Sequence, residues 1–290
     1  MHGIGVPLVT PFTTAGAVDF EKLTDLVAWL EARNVDFLVP CGSTGEAELL
    51  TQEERQAVIE TVCAESSVSV LAGTGNPGLE ETIAATTAAA DAGADGALVV
   101  TPYYYKHRQS ALATYYSELA DESDLPIYLY SVPKFTGVSL EPETVAGLAS
   151  HDNIAGMKDS SGSLEAFLRT SNRTADADFD LLVGSGSLLS QALEAGATGA
   201  ILALNNLVPE HTVDIYSCAQ TEPAAAREQH RHFVELNAAV TSDYGIPGLK
   251  WAMRQRGAPA GTVRQPHQPV GAAAQQRLVS LLDGVPNNRS

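Results

Sequence analysis

The chain has 290 residues, and its 35 acidic side chains outnumber 17 basic ones, which gives a formal net charge of −18 at pH 7. Such a surface repels nucleic acid and anionic lipid, so we expect neither as a partner. The sequence contains no run of about 18 apolar residues that could span a membrane. Its start lacks the basic and apolar regions of a secretory leader, and we therefore expect a cytoplasmic protein.

Two residue types are used sparingly. The three cysteines, Cys41, Cys63 and Cys218, are widely spaced, which predicts reduced thiols rather than disulfides or a structural zinc site. Lysine occurs at only five positions, while acidic residues are dispersed along the chain. Dispersed acidity with scarce lysine is typical of proteins from salt-accumulating archaea, so we expect a halophilic protein; an acidic mesophilic protein is the alternative.

Short apolar runs alternate with longer amphipathic segments through most of the chain. Eight runs are nearly continuous in apolar residues rather than alternating, which is typical of parallel strands buried on both faces. In chain order they are GVPLVT from Gly5, DFLVP from Asp36, VSVLAG from Val68, GALVVT from Gly96, PIYLYS from Pro126, IAGMK from Ile154, DLLVG from Asp180 and GAILAL from Gly199.

The segments between these runs carry helix signals. Asp19 stands before the first segment, and Thr51 with Glu54 three residues on forms a capping-box pattern before the second. Eight strand–helix pairs predict an α/β fold, a (β/α)8 TIM barrel, over residues 1–221. Residues 222–290 are predicted to form a C-terminal helical extension packed on the barrel, with a turn-rich linker, APAGTVRQPHQPVG, between its last two helices.

Active sites of such barrels lie at the carboxyl ends of the strands, so the residues that follow each predicted strand are the candidates. After the second strand, CGSTGEAE places backbone N–H groups and the hydroxyls of Ser43 and Thr44 where a carboxylate or phosphate can bind. TPYYYKHRQ after the fourth strand and LYSVPKFTG at the end of the fifth bring two groups of tyrosines to the same end. A tyrosine there shuttles protons only within a polar network, and a rim aromatic is the alternative.

Lys158 ends the sixth predicted strand, in NIAGMKDSSG. A lysine at this point projects into the barrel mouth, where partial desolvation makes an amine easier to deprotonate. The neutral amine can attack a ketone and form an iminium, which is the electron sink for breaking or making a neighbouring carbon–carbon bond. A solvent-reaching lysine at a strand end is the alternative, but the surrounding motifs favour the catalytic interpretation.

Together these motifs resemble the family of dihydrodipicolinate synthase and N-acetylneuraminate lyase, the pyruvate-dependent class I aldolases. The resemblance runs from GVPLVTPF to GIPGLKWAM and rests on GSTGE, TPYY, YSVP…TG and GMKDSSG in the same order and spacing. It implies a (β/α)8 barrel with a C-terminal helical domain and a small-molecule 2-keto acid substrate. It also implies a covalent Schiff base in place of a metal or separate cofactor, and a homotetramer built of two tight dimers.

The resemblance further implies roles for individual residues. Lys158 would form the Schiff base, and Tyr130 beside it would donate and accept protons. Ser43 and Thr44 would hold the substrate carboxylate and form hydrogen bonds to Tyr130. Tyr104 matches a tyrosine that reaches across the dimer into a neighbouring site. Two more positions match the pocket lining: Gly184 and Ile201.

One position departs from the family pattern. Members that make dihydrodipicolinate usually carry an arginine just before the TG of the fifth-strand motif, to hold a second carboxylate; here Phe135 takes that position, with Lys134 beside it. Archaeal 2-keto-3-deoxygluconate aldolases resemble this chain in lacking that arginine. Lys106 and Arg108, with His107 between them, form a basic group that a phosphorylated sugar acid would need, although a solvated loop explains it equally.

The sequence therefore predicts a Schiff-base aldolase of the Entner–Doudoroff pathway. It would cleave 2-keto-3-deoxygluconate, or its 6-phosphate, to pyruvate and glyceraldehyde, or its 3-phosphate. Two activities of the same family stay open: 4-hydroxy-tetrahydrodipicolinate synthase, which condenses pyruvate with aspartate semialdehyde, and a 2-keto-3-deoxy sugar-acid dehydratase. A non-enzymatic binding protein is disfavoured, because a sensor has no need of a poised amine.

Overall fold

The computed structural model describes residues 1–286 and shows eight parallel strands that close into a barrel. Each strand pairs with the next along the chain, and the last pairs with the first to close the ring. The strands are β1 (Gly3–Pro7), β2 (Phe37–Val39), β3 (Ser69–Gly73), β4 (Gly96–Val100), β5 (Ile127–Ser131), β6 (Ile154–Asp159), β7 (Asp180–Val183) and β8 (Gly199–Ile201). The predicted (β/α)8 TIM barrel is confirmed, and each of the eight apolar runs overlaps one strand.

Helices follow the strands and extend the chain beyond the barrel. They are α1 (Phe20–Glu31), α2 (Gln52–Glu65), α3 (Leu79–Asp91), α4 (Gln109–Glu122), α5 (Pro133–Thr136), α6 (Pro142–Leu148), α7 (Leu164–Thr174), α8 (Leu189–Glu194), α9 (Pro209–Ala219), α10 (Pro223–Arg231), α11 (Val234–Ala238), α12 (Gly245–Gln255) and α13 (Ala272–Asp283). Turns of 3₁₀ helix cover Ser43–Gly45, Ala47–Leu49, Gly186–Leu188 and Ala203–Asn206, and a π-helical turn covers Ala239–Asp243. No helix within residues 1–286 is long and apolar enough to cross a membrane.

Side-chain caps explain where the first two helices begin. Asp19 Oδ1 accepts a hydrogen bond from Lys22 N at 3.2 Å at the start of α1. Thr51 and Glu54 form the predicted capping box of α2: Glu54 N donates to the Thr51 hydroxyl at 3.2 Å, and Thr51 N donates to the Glu54 carboxylate at 3.0 Å. Both caps pair backbone N–H groups that a helix start leaves unpaired, which fixes where each loop ends.

The strands are apolar on both faces because their side chains alternate between two packed environments. Residues such as Leu38, Leu129 and Leu181 pack with the helices in the outer core. The alternate residues form a second cluster inside the barrel: Phe37, Val39, Leu71, Leu98, Tyr128, Tyr130, Val132, Leu182 and Ile201. This alternation brings Tyr130 and Ile201 to the interior, where the candidate site lies.

The chain beyond the barrel returns to it. Thr262, in the predicted turn-rich linker between α12 and α13, pairs with Phe12 in an antiparallel bridge, and Thr262 N donates to Phe12 O at 2.9 Å. The division into a barrel of residues 1–221 and an extension of residues 222–290 stays a prediction. Residues 287–290 of that extension lie outside the described part of the chain.

Candidate active site

Lys158 and Tyr130 lie side by side on neighbouring strands. They are register partners between β6 and β5, and each is 5% exposed. The Lys158 Nζ lies 4.3 Å from the centroid of the Tyr130 ring. Within residues 1–286 this amine has no hydrogen-bond acceptor and no carboxylate partner. The structure therefore brings the predicted pair together and leaves the amine uncommitted.

This arrangement suits a nucleophilic amine. An amine that makes no hydrogen bond or ion pair inside the protein can bond to the carbonyl carbon of a ligand without first breaking either. Tyr130 supplies a phenol next to the same nitrogen, and a phenol can give and take the protons that formation of an imine requires. The pair can thus perform carbonyl chemistry at the barrel mouth.

Gly184 leaves room for the lysine side chain. Its N–H donates to Asp159 O at 2.7 Å, which holds the end of β7 against the end of β6. A Cβ atom at this position would lie 1.9 Å from Ser160 Oγ and 3.0 Å from Lys158 Cε. Ile201, the other predicted lining residue, is 1% exposed and contributes an apolar side chain to the interior cluster.

The predicted carboxylate-binding loop forms the 3₁₀ turn Ser43–Gly45 just beyond β2. Its last N–H group donates to Gly42 O at 2.9 Å. A residue with left-handed backbone stands near each end, Cys41 with φ 56° and Glu46 with φ 55°. Residues other than glycine adopt this conformation rarely and keep it where the surrounding structure holds it, often at functional sites. The turn is therefore a defined and strained feature.

Ser43 and Thr44 are half-buried at the carboxyl end of β2, the same end of the barrel as Lys158. The hydrogen bonds predicted between these hydroxyls and Tyr130 are not formed among the described residues; the face of the Tyr130 ring lies beside Lys158 Nζ. The hydroxyls can therefore donate to an anionic group that enters the mouth.

Tyr104, predicted to reach into a neighbouring subunit, lies on the protein surface. Its side chain is 86% exposed, and its backbone φ is 77°. Tyr105 beside it is 69% exposed, and the two rings meet edge to face with centroids 5.0 Å apart. A partner surface would account for an exposed aromatic pair on a left-handed backbone.

The basic residues of the same loop are solvated. Lys106 and Arg108 are exposed, and neither forms an ion pair within the part of the chain that the structure describes. At the end of β5, Phe135 is 63% exposed, and Lys134 Nζ lies 3.4 Å from Thr241 O. Lys134 is thus the cation beside the position where an arginine was expected.

A buried ion pair next to the Ser43–Gly45 turn was not predicted from the sequence. Glu46 and Lys250 have fully buried side chains, and Lys250 Nζ lies 2.5 Å from Glu46 Oε1. Burial lowers the pKa of Lys250 to about 8, while the Glu46 carboxylate opposes that shift. The scarcity of lysine was the one sequence signal that could have pointed to Lys250. Of the five lysines, Lys158 and Lys250 are the two that are buried.

The thiols are poor candidates for the reactive group. All three cysteines are free, and burial raises the pKa of Cys41 to about 12 and that of Cys63 to about 11. Across residues 1–286, no group of three or more His, Cys, Asp or Glu side chains is arranged to hold a metal ion. Lys158 is the candidate nucleophile of the barrel mouth.

A closed parallel barrel with an uncommitted lysine facing a tyrosine at the carboxyl end of its strands defines a class of enzyme, the lyases that work through a lysine. The sequence profile described as "Dihydrodipicolinate synthetase family" matches residues 1–284, and the chain belongs to that family. Enzymes of this family are pyruvate-dependent lyases that form a Schiff base between a lysine and pyruvate, without a metal cofactor. The predicted family and enzyme class are confirmed.

Curated relatives extend over nearly the whole chain. A 4-hydroxy-tetrahydrodipicolinate synthase of Methanothrix thermoacetophila is 37% identical over 282 residues, which cover 97% of this chain and 96% of the relative. Its counterpart in Haloarcula marismortui is 38% identical and covers 91% of this chain and 87% of the relative. The structure of the chloride-inhibited dihydrodipicolinate synthase of Acinetobacter baumannii complexed with pyruvate matches with a TM-score of 0.94 at 30% identity, covering 98% of each chain.

The prediction of a 2-keto-3-deoxygluconate aldolase is wrong, because these full-length relatives are named 4-hydroxy-tetrahydrodipicolinate synthase. The error came from Phe135 in place of arginine and from the basic residues Lys106 and Arg108. All three are exposed, Phe135 in the short helix α5 and the two basic residues in the loop before α4, where a substitution disturbs little packing and a basic side chain is solvated. The predicted role in the Entner–Doudoroff pathway depended on that substrate and has no support either.

Proposed function

We propose that the protein is a 4-hydroxy-tetrahydrodipicolinate synthase, which condenses pyruvate with aspartate semialdehyde. The observation that carries the proposal is the uncommitted Lys158 amine, whose Nζ lies 4.3 Å from the Tyr130 ring centroid in a site where both residues are 5% exposed. The names of the relatives select this reaction among those that a pyruvate Schiff base supports. The residue roles given below belong to the same proposal.

In the first half of the reaction, Lys158 Nζ attacks C2 of pyruvate. The adduct loses water to give an iminium, and Tyr130 supplies the proton that leaves with the hydroxyl group. Ser43 and Thr44 bind the pyruvate carboxylate and so orient C2 toward the amine. The Tyr130 phenolate left by the loss of water takes a proton from C3, which restores the phenol and turns the iminium into an enamine, because the cationic nitrogen accepts the electron pair.

In the second half, C3 of the enamine bonds to the aldehyde carbon of aspartate semialdehyde. Tyr130 protonates the alkoxide that develops there. The amino group of the bound semialdehyde then attacks C2 and displaces Lys158, which closes the six-membered ring and regenerates the lysine. The proton that this amino group loses returns to Tyr130 and restores the phenol. One water is released overall, in the step that forms the iminium.

Lys134 is the proposed partner of the second carboxylate, that of aspartate semialdehyde. It is exposed at the end of β5, the strand that carries Tyr130, and its Nζ is 3.4 Å from Thr241 O. A lysine binds a carboxylate as a point charge, whereas an arginine binds it through two parallel hydrogen bonds. We therefore expect a weaker and less oriented hold on the semialdehyde than an arginine gives.

The proposal includes a homotetramer built of dimers in a salt-rich cytoplasm. The exposed aromatic side chains of Tyr104, Tyr105 and Phe135 support a subunit contact at the barrel mouth, with Tyr104 entering the neighbouring site. The net charge of −18 supports a salt-rich environment, because ions screen its self-repulsion. Light scattering at low and high KCl tests both: a tetramer should persist at high salt and weaken at low salt.

Reductive trapping tests the function. Wild-type protein treated with pyruvate and borohydride should gain one reduced pyruvate on the peptide that contains Lys158, and it should consume aspartate semialdehyde together with pyruvate. Lys158→Arg should do neither, while the matched control Lys22→Arg, at an exposed lysine of α1, should do both. Trapping without consumption of the semialdehyde would refute the synthase, and a label on another lysine would refute the site.

A further inference from the structure

The Glu46–Lys250 pair differs from every other ion pair of residues 1–286 because both of its side chains are fully buried. Lys250 Nζ donates to three acceptors: Glu46 Oε1 at 2.5 Å, Thr10 O at 2.6 Å and Thr262 O at 2.8 Å. All three N–H groups of the ammonium are thus occupied, so this lysine does not act as a second nucleophile beside Lys158. The reaction proposed above makes no use of it.

The second carboxylate oxygen of Glu46 is held as well. Arg264 N donates to Glu46 Oε2 at 3.1 Å. The Arg264 guanidinium binds the Glu54 carboxylate through two hydrogen bonds of 2.6 and 2.7 Å. Arg264 Cζ and Lys250 Nζ also lie 4.4 and 4.5 Å from the centroid of the Phe12 ring. The pair is therefore enclosed by an ordered set of contacts.

These contacts reach the Ser43–Gly45 turn from two sides. Glu46 directly follows the turn with φ 55° and ψ 35°, and Lys250 fixes its side chain. Thr10, whose carbonyl accepts from Lys250, donates its hydroxyl to Gly45 O at 2.7 Å. One ammonium group on α12 thus contacts both Glu46 and Thr10, the two residues that adjoin or bind the end of the turn.

A buried ion pair is an inefficient way to stabilise a fold. Desolvation of two charges offsets most of their attraction, and an apolar pair of similar volume often stabilises a protein as well. What the ion pair supplies in addition is direction, because its hydrogen bonds have a fixed geometry. Such contacts behind a binding site hold the site in place.

We propose that Glu46 and Lys250 are positioning residues for the substrate carboxylate. They hold the Ser43–Gly45 turn so that the hydroxyl groups of Ser43 and Thr44 can donate to the carboxylate of a 2-keto acid. Helix α12 thereby takes part in substrate binding although it is not itself assigned a substrate contact. The inference rests on the proposed function, since it takes the turn as the site of the pyruvate carboxylate.

The test variant is E46L/K250M, which replaces both charges with apolar side chains and leaves no unpaired buried charge. Two quantities are measured: the pyruvate concentration for half-maximal borohydride trapping on Lys158, and the maximal extent of trapping. We expect the half-saturating concentration to rise roughly 10- to 100-fold, as for the loss of a hydrogen bond to a charged carboxylate, with the maximal extent retained. A merely structural role would lower the maximal extent through unfolded protein and leave half-saturation unchanged.

The matched control is E210L/R256M. Arg256 directly follows α12, and its guanidinium pairs with Glu210 of α9, which also pairs with Arg33. This variant therefore removes ion pairs at the end of the same helix without touching the turn. Its half-saturating concentration should equal that of the wild type. The inference is overturned if folded E46L/K250M also equals the wild type, or if the control shifts as much as the test variant.

Thr10→Val decides the question if E46L/K250M does not fold. Thr10 is 1% exposed, and valine keeps its volume and leaves the ion pair intact while removing the hydrogen bond to Gly45 O. A rise of roughly 3- to 10-fold in half-saturation supports the inference, and the wild-type value overturns it. Failure of the wild type to trap pyruvate would overturn the proposed function itself, so the two failures are distinguishable.

Discussion

Replacing Gly184 by alanine should impair the reaction more than it impairs folding. The added Cβ would lie 1.9 Å from Ser160 Oγ and 3.0 Å from Lys158 Cε. The serine hydroxyl can rotate away, because it is the end of a short side chain, but Ser160 Cβ, also 3.0 Å from the added atom, has to give by a few tenths of an ångström. The lysine has to move its Cε by a few tenths of an ångström, and that movement displaces the nucleophilic nitrogen.

The expected magnitudes follow from these two contacts. Overpacking of a filled site costs about 1–3 kcal/mol of stability, and rotation of Ser160 keeps the cost near the lower value. A displacement of about 1 Å at a reacting group can cost 100-fold in rate, so a few tenths should lower kcat/KM roughly 3- to 10-fold. That factor corresponds to about 0.7–1.4 kcal/mol of transition-state stabilisation.

Steady-state kinetics and thermal unfolding together check this prediction. The control Gly147→Ala, in α6, places a Cβ with nothing within 4 Å and should stabilise the protein by about 0.5–1 kcal/mol without changing kcat/KM. Adding Ser160→Ala to Gly184→Ala removes the closest collision but keeps the contact with Lys158. The double variant should regain stability and stay slow; full recovery of kcat/KM, or none lost in the single variant, would refute the reasoning.

Three further outcomes are expected. Tyr130→Phe should slow pyruvate trapping and turnover by about 10²- to 10⁴-fold. Stability should fall little, because the buried ring stays. An unchanged rate would show that the phenol hydroxyl takes no part in the mechanism. Lys134→Ala should raise KM for aspartate semialdehyde roughly tenfold and leave KM for pyruvate unchanged, which kinetics with each substrate varied in turn will decide. His230 Nδ1 accepts from Ser190 Oγ at 2.8 Å, its Nε2 donates to Gly186 O at 2.7 Å, and burial lowers its pKa below 6.5. The unfolded chain therefore binds a proton at higher pH than the folded protein, so stability should fall as pH drops below about 6.5, and His230→Gln should flatten that fall; parallel melting curves would contradict the assignment.

The barrel could be predicted from the sequence because its signals are local. Continuous apolar runs mark the strands, and the capping box of Thr51 and Glu54 marks a helix start within four residues. Lys158 could be placed at the mouth for the same reason, since the end of a parallel strand in a barrel defines the catalytic end. The pairing of Tyr130 with Lys158 then follows from adjacent strands in register.

The Glu46–Lys250 contact next to the Ser43–Gly45 turn could not be predicted from the sequence. Lys250 and Glu46 are 204 residues apart, and an ion pair over such a distance leaves no periodic trace in the chain. The synthase reaction with aspartate semialdehyde stayed an alternative rather than the main prediction for a related reason. Phe135 is an exposed residue of α5, and the sequence alone did not decide whether the neighbouring cation, Lys134, could take the place of the arginine.

The distance between Glu46 and Lys250 also sets the order in which the active site is completed during synthesis. All eight strands leave the ribosome before α12, so the ammonium that holds residue 46 arrives late on the nascent chain. Until residues 250–264 pack against the barrel, the Glu46 carboxylate lacks the Lys250 ammonium that pairs with it. A chain that ends before residue 250 lacks the ammonium that pairs with Glu46, so under the inference above we expect it to bind a keto acid more weakly than the full chain does.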